Sequence, residues 1–171
     1  MASSFPDRLK RAWRHWRTTA AVGRRAFPGA TLEKIGAAIT AGEQRHRGEL
    51  RLIVENAMPS DAIWSDISNR QRALALFAEY GVWDTEDNCG VLVYVNLAEH
   101  KVDIVVDRGI GRKIDAATWQ DVCRTMTQGF ARGEFESSTL AAVEHINALL
   151  TSQFPAAGTR PNELPDHPIV L

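Results

Sequence analysis

An acidic loop is the part of this sequence whose residue types are best suited to chemistry. The loop holds Asp84, Glu86, Asp87 and Asn88, and it directly precedes an almost wholly apolar run at 90–95. Clustered carboxylates repel one another, and a proton or a cation relieves that repulsion. Oxygen ligands from Asp, Asn and backbone carbonyls suit calcium or magnesium rather than zinc or copper. The loop therefore indicates a site for a divalent cation.

Three predicted strands decide which other acids come near this loop. Residues 49–55 alternate between two faces, residues 90–95 suit a strand covered on both faces, and residues 102–106 follow a short hairpin loop. A right-handed crossover makes the first two strands parallel, and the hairpin makes the third antiparallel. The first two strands then start where the third ends. Glu49 and Asp107 are therefore expected at the same edge as the acidic loop.

This edge, which we call the acidic rim, is expected to bind calcium or magnesium through Asp87, Asp107 and Asp84. Asn88 or Glu49 would supply further oxygen ligands. The alternative is that these acids are ordinary solvated loop ends, since the loop lacks the fixed spacing of an EF-hand. Ligands of open α/β sheets also usually bind at the carboxyl ends of parallel strands, whereas the rim lies at the opposite end.

Catalysis at the rim is chemically possible, but the sequence offers no evident nucleophile. A bound cation could polarise a phosphate ester or lower the pKa of a bound water. Thr85 lies in the loop, and no general base stands beside it in the sequence. The two cysteines form no zinc or redox motif. The histidines have no ligand spacing; they are His15, His46, His100, His145 and His167.

Helices are predicted on both sides of these strands. The apolar periodicity and the capping residues indicate helices at 31–46 and 60–80, one beginning after Asp115, and one with its apolar stripe at 140–150. The expected fold is therefore α/β, a three-layer α/β/α sandwich with a small mixed sheet, formed by a parallel pair plus an antiparallel hairpin strand.

The chain divides into a basic arm at 1–26, one α/β/α domain at 27–155 and an extended, proline-rich tail at 156–171. Its 171 residues can bury one sizeable core. Seven of the 20 basic side chains but one of the 21 acidic ones lie in residues 1–25. A segment of charge +6 thus precedes a body of charge −7.

The arm has the pattern of an amphipathic helix. Leu9, Trp13, Trp16 and Ala20 share one helical face, with arginines around the rest. Residues 1–25 are expected to bind an anionic membrane surface or a membrane-protein partner. The alternative is that the tryptophans dock on the chain's own domain. Nucleic acid is disfavoured as a partner because no nucleic-acid-binding motif accompanies the arm.

Composition and hydropathy exclude several classes of protein. The composition does not fit collagen, a disulfide-rich mini-protein or wholesale disorder. No apolar run is long enough to span a bilayer, and the basic N-terminus lacks the apolar stretch of a secretory signal. We therefore expect a cytoplasmic protein, which the arm would hold peripherally at the inner face of the membrane.

Several blocks in this sequence resemble the TPM-domain family. They are Gly48-Glu49-Leu50, then Thr85, Asn88 and the run 90–95, then Asp107 with Gly109-Ile110, then Trp119, and finally Phe154-Pro155. The order and spacing of these blocks carry the resemblance, which covers about residues 27–155.

The resemblance implies an α/β/α sandwich that binds calcium or magnesium at Asp87 and Asp107. The family includes a thylakoid-lumen protein described as an acid phosphatase and linked to photosystem repair, and many bacterial proteins of unknown role. This chain departs from many relatives because it has no export signal or transmembrane helix. It also places Cys89 between Asn88 and Gly90.

Two functions follow from this sequence. We expect a non-catalytic, protein- or membrane-associated module whose rim binds a divalent cation. The alternative is a metal-assisted acid phosphatase. The first is favoured because the chain lacks an evident pair of nucleophile and base, and because a fold by itself supplies no activity.

Overall fold

A mixed sheet forms the middle layer of the protein in a computed structural model, which describes residues 5–158 and 161–171. Within this described part, the sheet has four strands in the order β3-β2-β1-β4. β1 runs parallel to β2 and β4, and β3 runs antiparallel to β2. The strands are β1 (Glu49–Glu55), β2 (Gly90–Asn96), β3 (Lys101–Val106) and β4 (Ile169–Val170). The predicted parallel pair and the predicted hairpin are both confirmed.

Helices account for most of the remaining described residues. Two of them, α1 and α2, belong to the arm, whose residues 1–4 lie outside the described part of the chain. The helices are α1 (Phe5–Arg17), α2 (Ala20–Ala26), α3 (Gly29–Glu43), α4 (Ser60–Trp64), α5 (Asn69–Glu79), α6 (Arg108–Gly111), α7 (Ala116–Ala131) and α8 (Phe135–Gln153).

The core lies on both faces of the sheet, because successive strand residues point to opposite sides. Leu52 and Val93 pack in a cluster with residues of α3, α7 and α8. Ile53 and Tyr94 pack on the other face against α5. The expected three-layer α/β/α sandwich is confirmed.

The predicted helix at 60–80 is wrong, since the structure has two helices in this segment. Ser68 begins the second helix: its hydroxyl accepts a hydrogen bond from the Gln71 amide, and the Gln71 side chain accepts one from the Ser68 amide. This capping box satisfies backbone donors at the helix start and so favours a new helix there. Asp66, with φ of 57°, turns the chain just before it.

The tail contributes a strand that was not predicted. Ile169 pairs with Ile53 and Val170 with Val54, so β4 extends the sheet beside β1. Arg51 donates hydrogen bonds to the carbonyl oxygens of Pro165 and His167 and holds the tail there. Residues 159–160 of the predicted tail lie outside the described residues.

The helices also bear on whether the chain could cross a membrane. In the described ranges, none combines the length and the apolarity needed to cross a bilayer.

Candidate functional site

The acidic rim is assembled by backbone pairing between the three central strands. Glu49 lies opposite Gly90 in the parallel pair, and its amide donates to the Cys89 carbonyl oxygen at 3.0 Å. The Asp107 amide donates to the Gly90 carbonyl oxygen at 2.9 Å. The predicted convergence of these three chain segments at one edge of the sheet is confirmed for the backbone.

Asp107 is the buried acid of the rim, with 8% of its surface exposed. It caps α6: its Oδ1 accepts a hydrogen bond from the Arg108 amide at 2.6 Å. Its Oδ2 is buried and has no hydrogen-bond partner among the described residues. A buried carboxylate oxygen without a hydrogen-bond donor or a cation raises the free energy of the fold. This atom is therefore suited to bind a cation or to accept a hydrogen bond.

The turn that holds Asn88 lies directly against the residues that follow Asp107. Asn88 has φ of 53°, in the left-handed region. A Cβ at Gly109 would lie 2.5 Å from the Asn88 carbonyl oxygen and 3.2 Å from the Asp87 carbonyl oxygen. Gly109 is therefore required for this close approach. The approach brings two backbone carbonyls beside the α6 turn.

Asp87 already has a cationic neighbour. Arg47 Nη1 lies 3.4 Å from Asp87 Oδ2, and both side chains are half-buried. Cys89 is buried, and its thiol donates to the Asp87 carbonyl oxygen at 3.3 Å. Cys89 therefore lies at the rim and also packs in the core.

The hydrogen bonds of the other two predicted ligands lie away from Asp107. Asp84 is exposed in the turn after α5, where its amide donates to the Gly81 carbonyl oxygen. The Glu49 carboxylate accepts a hydrogen bond from the Leu164 amide at 3.0 Å, so it faces the tail. Asp107, Asp87 and Asn88 share the rim, while Glu49 belongs to a neighbouring cluster.

This neighbouring cluster lines a cavity of about 440 Å³ between the end of α3, the start of β1 and the tail, which we call the tail cavity. Glu43, Glu49 and Asp166 contribute carboxyl groups to its lining. Asp166 accepts hydrogen bonds from Thr40 and from Asn162. Glu43 accepts one from the Leu50 amide at 2.8 Å.

Burial in the tail cavity favours protonation of Glu43 and Glu49. Burial raises the pKa of Glu43 to about 9, and the nearby charges of Glu49 and Asp166 act in the same direction. Burial also raises the pKa of Glu49. Glu43 is therefore a neutral acid at neutral pH, and it shares a hydrogen bond with Asp166. A carboxylic acid in this state can donate a proton.

The sequence analysis missed Glu43 and Asp166 as members of a polar site. Glu43 ends α3 and Asp166 lies in the tail. Neither residue belongs to a recognisable motif. The available signal was that two acids, Glu43 and Glu49, lie close in sequence around the start of β1. This pattern by itself predicts no contact with the tail.

Within residues 5–158 and 161–171, no three His, Cys, Asp or Glu side chains lie close enough together to hold a metal ion. A cation at the rim would therefore need backbone carbonyls and water beside the carboxylates.

Thr85 and His46 have structural roles. The Thr85 hydroxyl accepts a hydrogen bond from the Cys89 amide at 2.9 Å and closes the rim turn. His46 is buried, accepts from the Gly48 amide and contacts the Asn147 amide oxygen at 3.1 Å. Burial lowers the pKa of His46, so its ring is neutral.

Comparison with families and solved structures gives one family match and several fold matches. A family model described as the TPM domain matches residues 24–149. No curated protein matches the chain. The fold is similar to the NMR structure of BA42 from the psychrophilic bacterium Bizionia argentinensis, with a TM-score of 0.74 and 23% sequence identity over 84% of this chain and 94% of that one.

A second similar structure is the N-terminal domain of a protein from P. gingivalis, also solved by NMR. Its TM-score is 0.61, with 16% sequence identity over 77% of this chain and 82% of that one. At these identities the two structures show a shared fold.

Proposed function

Because this chain belongs to the TPM-domain family, we propose that it is a non-catalytic module that binds a divalent cation at its acidic rim and works beside a membrane or a membrane protein. The cation would act as a clip between the turn of Asn88 and the α6 turn. Calcium and magnesium are the candidates, since the carboxylates, the amide and the backbone carbonyls of the rim are oxygen ligands.

The unpartnered Oδ2 of Asp107 is the observation that carries the proposal. It lies on a buried carboxylate whose other oxygen is used to cap α6. The carbonyl groups of Asp87 and Asn88 approach the same turn at Gly109. These groups fit a hard cation that completes its shell with water.

Arg47 lowers the affinity that we expect such a site to have for a cation. Its guanidinium group lies 3.4 Å from Asp87 and already offsets part of the rim's negative charge. A cation at Asp107 would therefore bind against this positive neighbour, and weak to moderate affinity follows.

A titration followed by residue-resolved NMR tests the cation site. Calcium or magnesium is expected to shift the amide signals of residues 87–90 and 107–109, and Asp107→Asn should weaken binding roughly tenfold or more, by removing the one buried charge. Asn retains the ability to cap a helix. Asp115→Asn is the matched control, since the Asp115 side chain also caps a helix by accepting a hydrogen bond from the Ala117 amide at the start of α7. A titration without localised shifts, or one unchanged in Asp107→Asn, would reject the site.

An assay with a generic phosphate ester separates the module from a phosphatase. The chain is expected to give no turnover with either cation. Thr85 Oγ1 accepts a hydrogen bond from the Cys89 amide within its own turn, so this hydroxyl has a structural role and is not expected to act as a nucleophile. Cation-dependent turnover that disappears in Asp87→Ala and Asp107→Ala would show that the protein is a metal-assisted phosphatase and would reject the non-catalytic module.

A further inference from the structure

Helix α1 packs on the domain through its polar face. Arg11 donates to the Glu99 carboxylate at 2.5 Å and to the Ile67 carbonyl oxygen at 2.6 Å. His15 accepts a hydrogen bond from the Met58 amide at 3.0 Å, and its other ring nitrogen lies 3.1 Å from Glu99. The Glu99 side chain is only 4% exposed. These buried polar contacts determine how the helix is rotated about its axis.

The same rotation turns the apolar face of α1 outward. This face, which we call the tryptophan stripe, consists of Phe5, Leu9, Trp13 and Trp16, all of them exposed. Trp13 is 56% and Trp16 is 78% exposed. Turning α1 to bury the stripe would break the contacts of Arg11 and His15. The contacts of Arg11 and His15 therefore keep the stripe exposed, and an exposed apolar patch of this kind marks an interaction site.

Exposed basic side chains lie beside the tryptophan stripe on α1 and continue onto α2. Lys10, Arg14 and Arg17 are exposed on α1, and Arg24 and Arg25 are exposed on α2. In the described part of the chain, none of these five forms a salt bridge, whereas Arg8 and Arg11 pair with carboxylates of the body. The Arg17 guanidinium lies 4.5 Å from the centre of the Trp13 ring. The outward surface thus combines apolar rings with uncompensated positive charge.

We propose that this surface binds an anionic phospholipid bilayer, with the tryptophan stripe at the acyl boundary and the flanking cations among the lipid phosphates. This inference rests on the membrane-side role proposed above and names its partner. Amphipathic helices with this division of aromatic and basic residues lie in the membrane interface. Juxtaposed cations add to binding on an anionic leaflet.

Charge complementarity favours the bilayer over a second copy of this chain. If two α1 helices paired through their stripes, the exposed cations beside each stripe, Lys10, Arg14 and Arg17, would be brought close to those of the other helix, which is unfavourable. An anionic bilayer offers an apolar boundary for the tryptophan stripe and phosphates for the cations beside it.

Sedimentation with vesicles tests the role of the stripe. The full chain should bind vesicles that contain phosphatidylglycerol and bind phosphatidylcholine vesicles much more weakly. Replacing Trp13 and Trp16 together with Ser should lower the partition coefficient about tenfold or more, because two buried indoles are lost. Trp83→Ser is the matched control, since Trp83 is 54% exposed on a different part of the surface.

The role of the cations is tested in the same assay. Replacing Arg14 and Arg17 together with Gln should weaken binding to phosphatidylglycerol vesicles roughly 10- to 30-fold, since each cation near an anionic surface contributes about 1 kcal/mol. Binding of the unchanged chain should also fall as salt is added.

Any one of the following outcomes would overturn the bilayer proposal. They are absence of binding to anionic vesicles, equal binding by the Trp13 and Trp16 double variant, and a dimer in solution that this variant abolishes. Binding to a mixed-sequence oligonucleotide that exceeds vesicle binding would also reject it. The NMR titration of the rim is independent of lipid, so failure of the stripe and failure of the cation site are distinguishable.

Discussion

Glu43 and Glu99 are buried carboxyl groups of the same type, and their different neighbours give them opposite charge states. Glu43 lies near Glu49 and Asp166, and its burial raises its pKa to about 9. Burial alone would also raise the pKa of Glu99. Hydrogen bonds from His15, Arg11 and Lys101 outweigh that effect and hold the pKa of Glu99 far below its usual range. One residue is therefore a neutral acid, and the other is an anion that attracts cations.

At the residue scale, the raised pKa of Glu43 predicts that the free energy of unfolding falls as the pH rises. Below pH 4.5 Glu43 is protonated in both the folded and the unfolded chain, so its contribution is fully present there. Between 4.5 and about 9 only the folded state keeps the proton, and the free energy of unfolding falls by up to about 1.4 kcal/mol per pH unit. Glu43→Gln should remove this slope, since an amide retains the hydrogen bonds without titrating.

Urea unfolding followed by circular dichroism across this pH range measures the slope. Glu79→Gln on the exposed side of α5 is the control, and its slope should match that of the unchanged chain. Equal slopes for Glu43→Gln and the unchanged chain would mean that Glu43 is not protonated in the fold.

At the scale of the elements, polar anchors decide how helices sit on the sheet. Arg72 on α5 donates to the buried Glu55 carboxylate at 2.6 Å, and the Tyr94 hydroxyl donates to the same group at 2.6 Å. Burial and the nearby Glu55 charge raise the pKa of Tyr94, so its hydroxyl keeps its proton. Glu99 plays the corresponding part for α1 through Arg11 and His15.

Glu99→Gln is expected to loosen α1 while leaving the sheet intact. The change leaves Arg11 without its buried counter-ion, which should lower the free energy of unfolding by about 3 kcal/mol. Hydrogen exchange in residues 5–17 should accelerate. In the unchanged chain the same weakening is expected in acid, because the stabilisation by Glu99 is present above its unfolded pKa of 4.5 and is lost as the pH falls below it.

Hydrogen exchange read by mass spectrometry checks this expectation. Glu136→Gln is the control: Glu136 also pairs with a cation, Lys34, but at the surface, where such pairs contribute little. If α1 exchanged as slowly in Glu99→Gln as in the unchanged chain, Glu99 would not be its anchor.

At the scale of the whole molecule, the tail closes the fold over one sheet edge. β4 covers the edge of β1, Leu164 packs near the α5 face, and Arg51 binds two tail carbonyls. Thr40 and Asn162 hold Asp166 at the tail cavity. The tail therefore completes both the sheet and the lining of the cavity.

Removal of residues 162–171 should destabilise the whole domain. The deletion exposes the backbone of β1 as an unprotected edge and leaves Arg51 without its acceptors, so we expect a loss of at least about 2 kcal/mol and concentration-dependent association. Urea unfolding and light scattering measure the two effects.

A single substitution separates packing from edge protection. Leu164→Ala should lower stability without association, and Leu74→Ala at an exposed position of α5 should change neither. A deletion variant as stable and as monomeric as the unchanged chain would show that the tail is dispensable.

The sequence by itself determined the strands β1, β2 and β3, their directions and their meeting at the rim. A period of two residues marked 49–55, an apolar run marked 90–95, and a short loop indicated the hairpin to 102–106. The handedness of crossover connections made β1 and β2 parallel. These regularities depend on local sterics, so short segments carry them. The break before Asn69 was missed, although Ser68 and Gln71 form a recognisable capping box.

Only the tertiary structure decided which side chains meet. Arg11 and Glu99 are separated by 88 residues, and Thr40 and Asp166 by 126. The periodicity of the arm identified its apolar face, but it left open whether this face docks on the domain or stays outward. That outcome depends on the free energy of burying Arg11 and His15 against Glu99. Such contacts combine distant segments, and no local pattern encodes them.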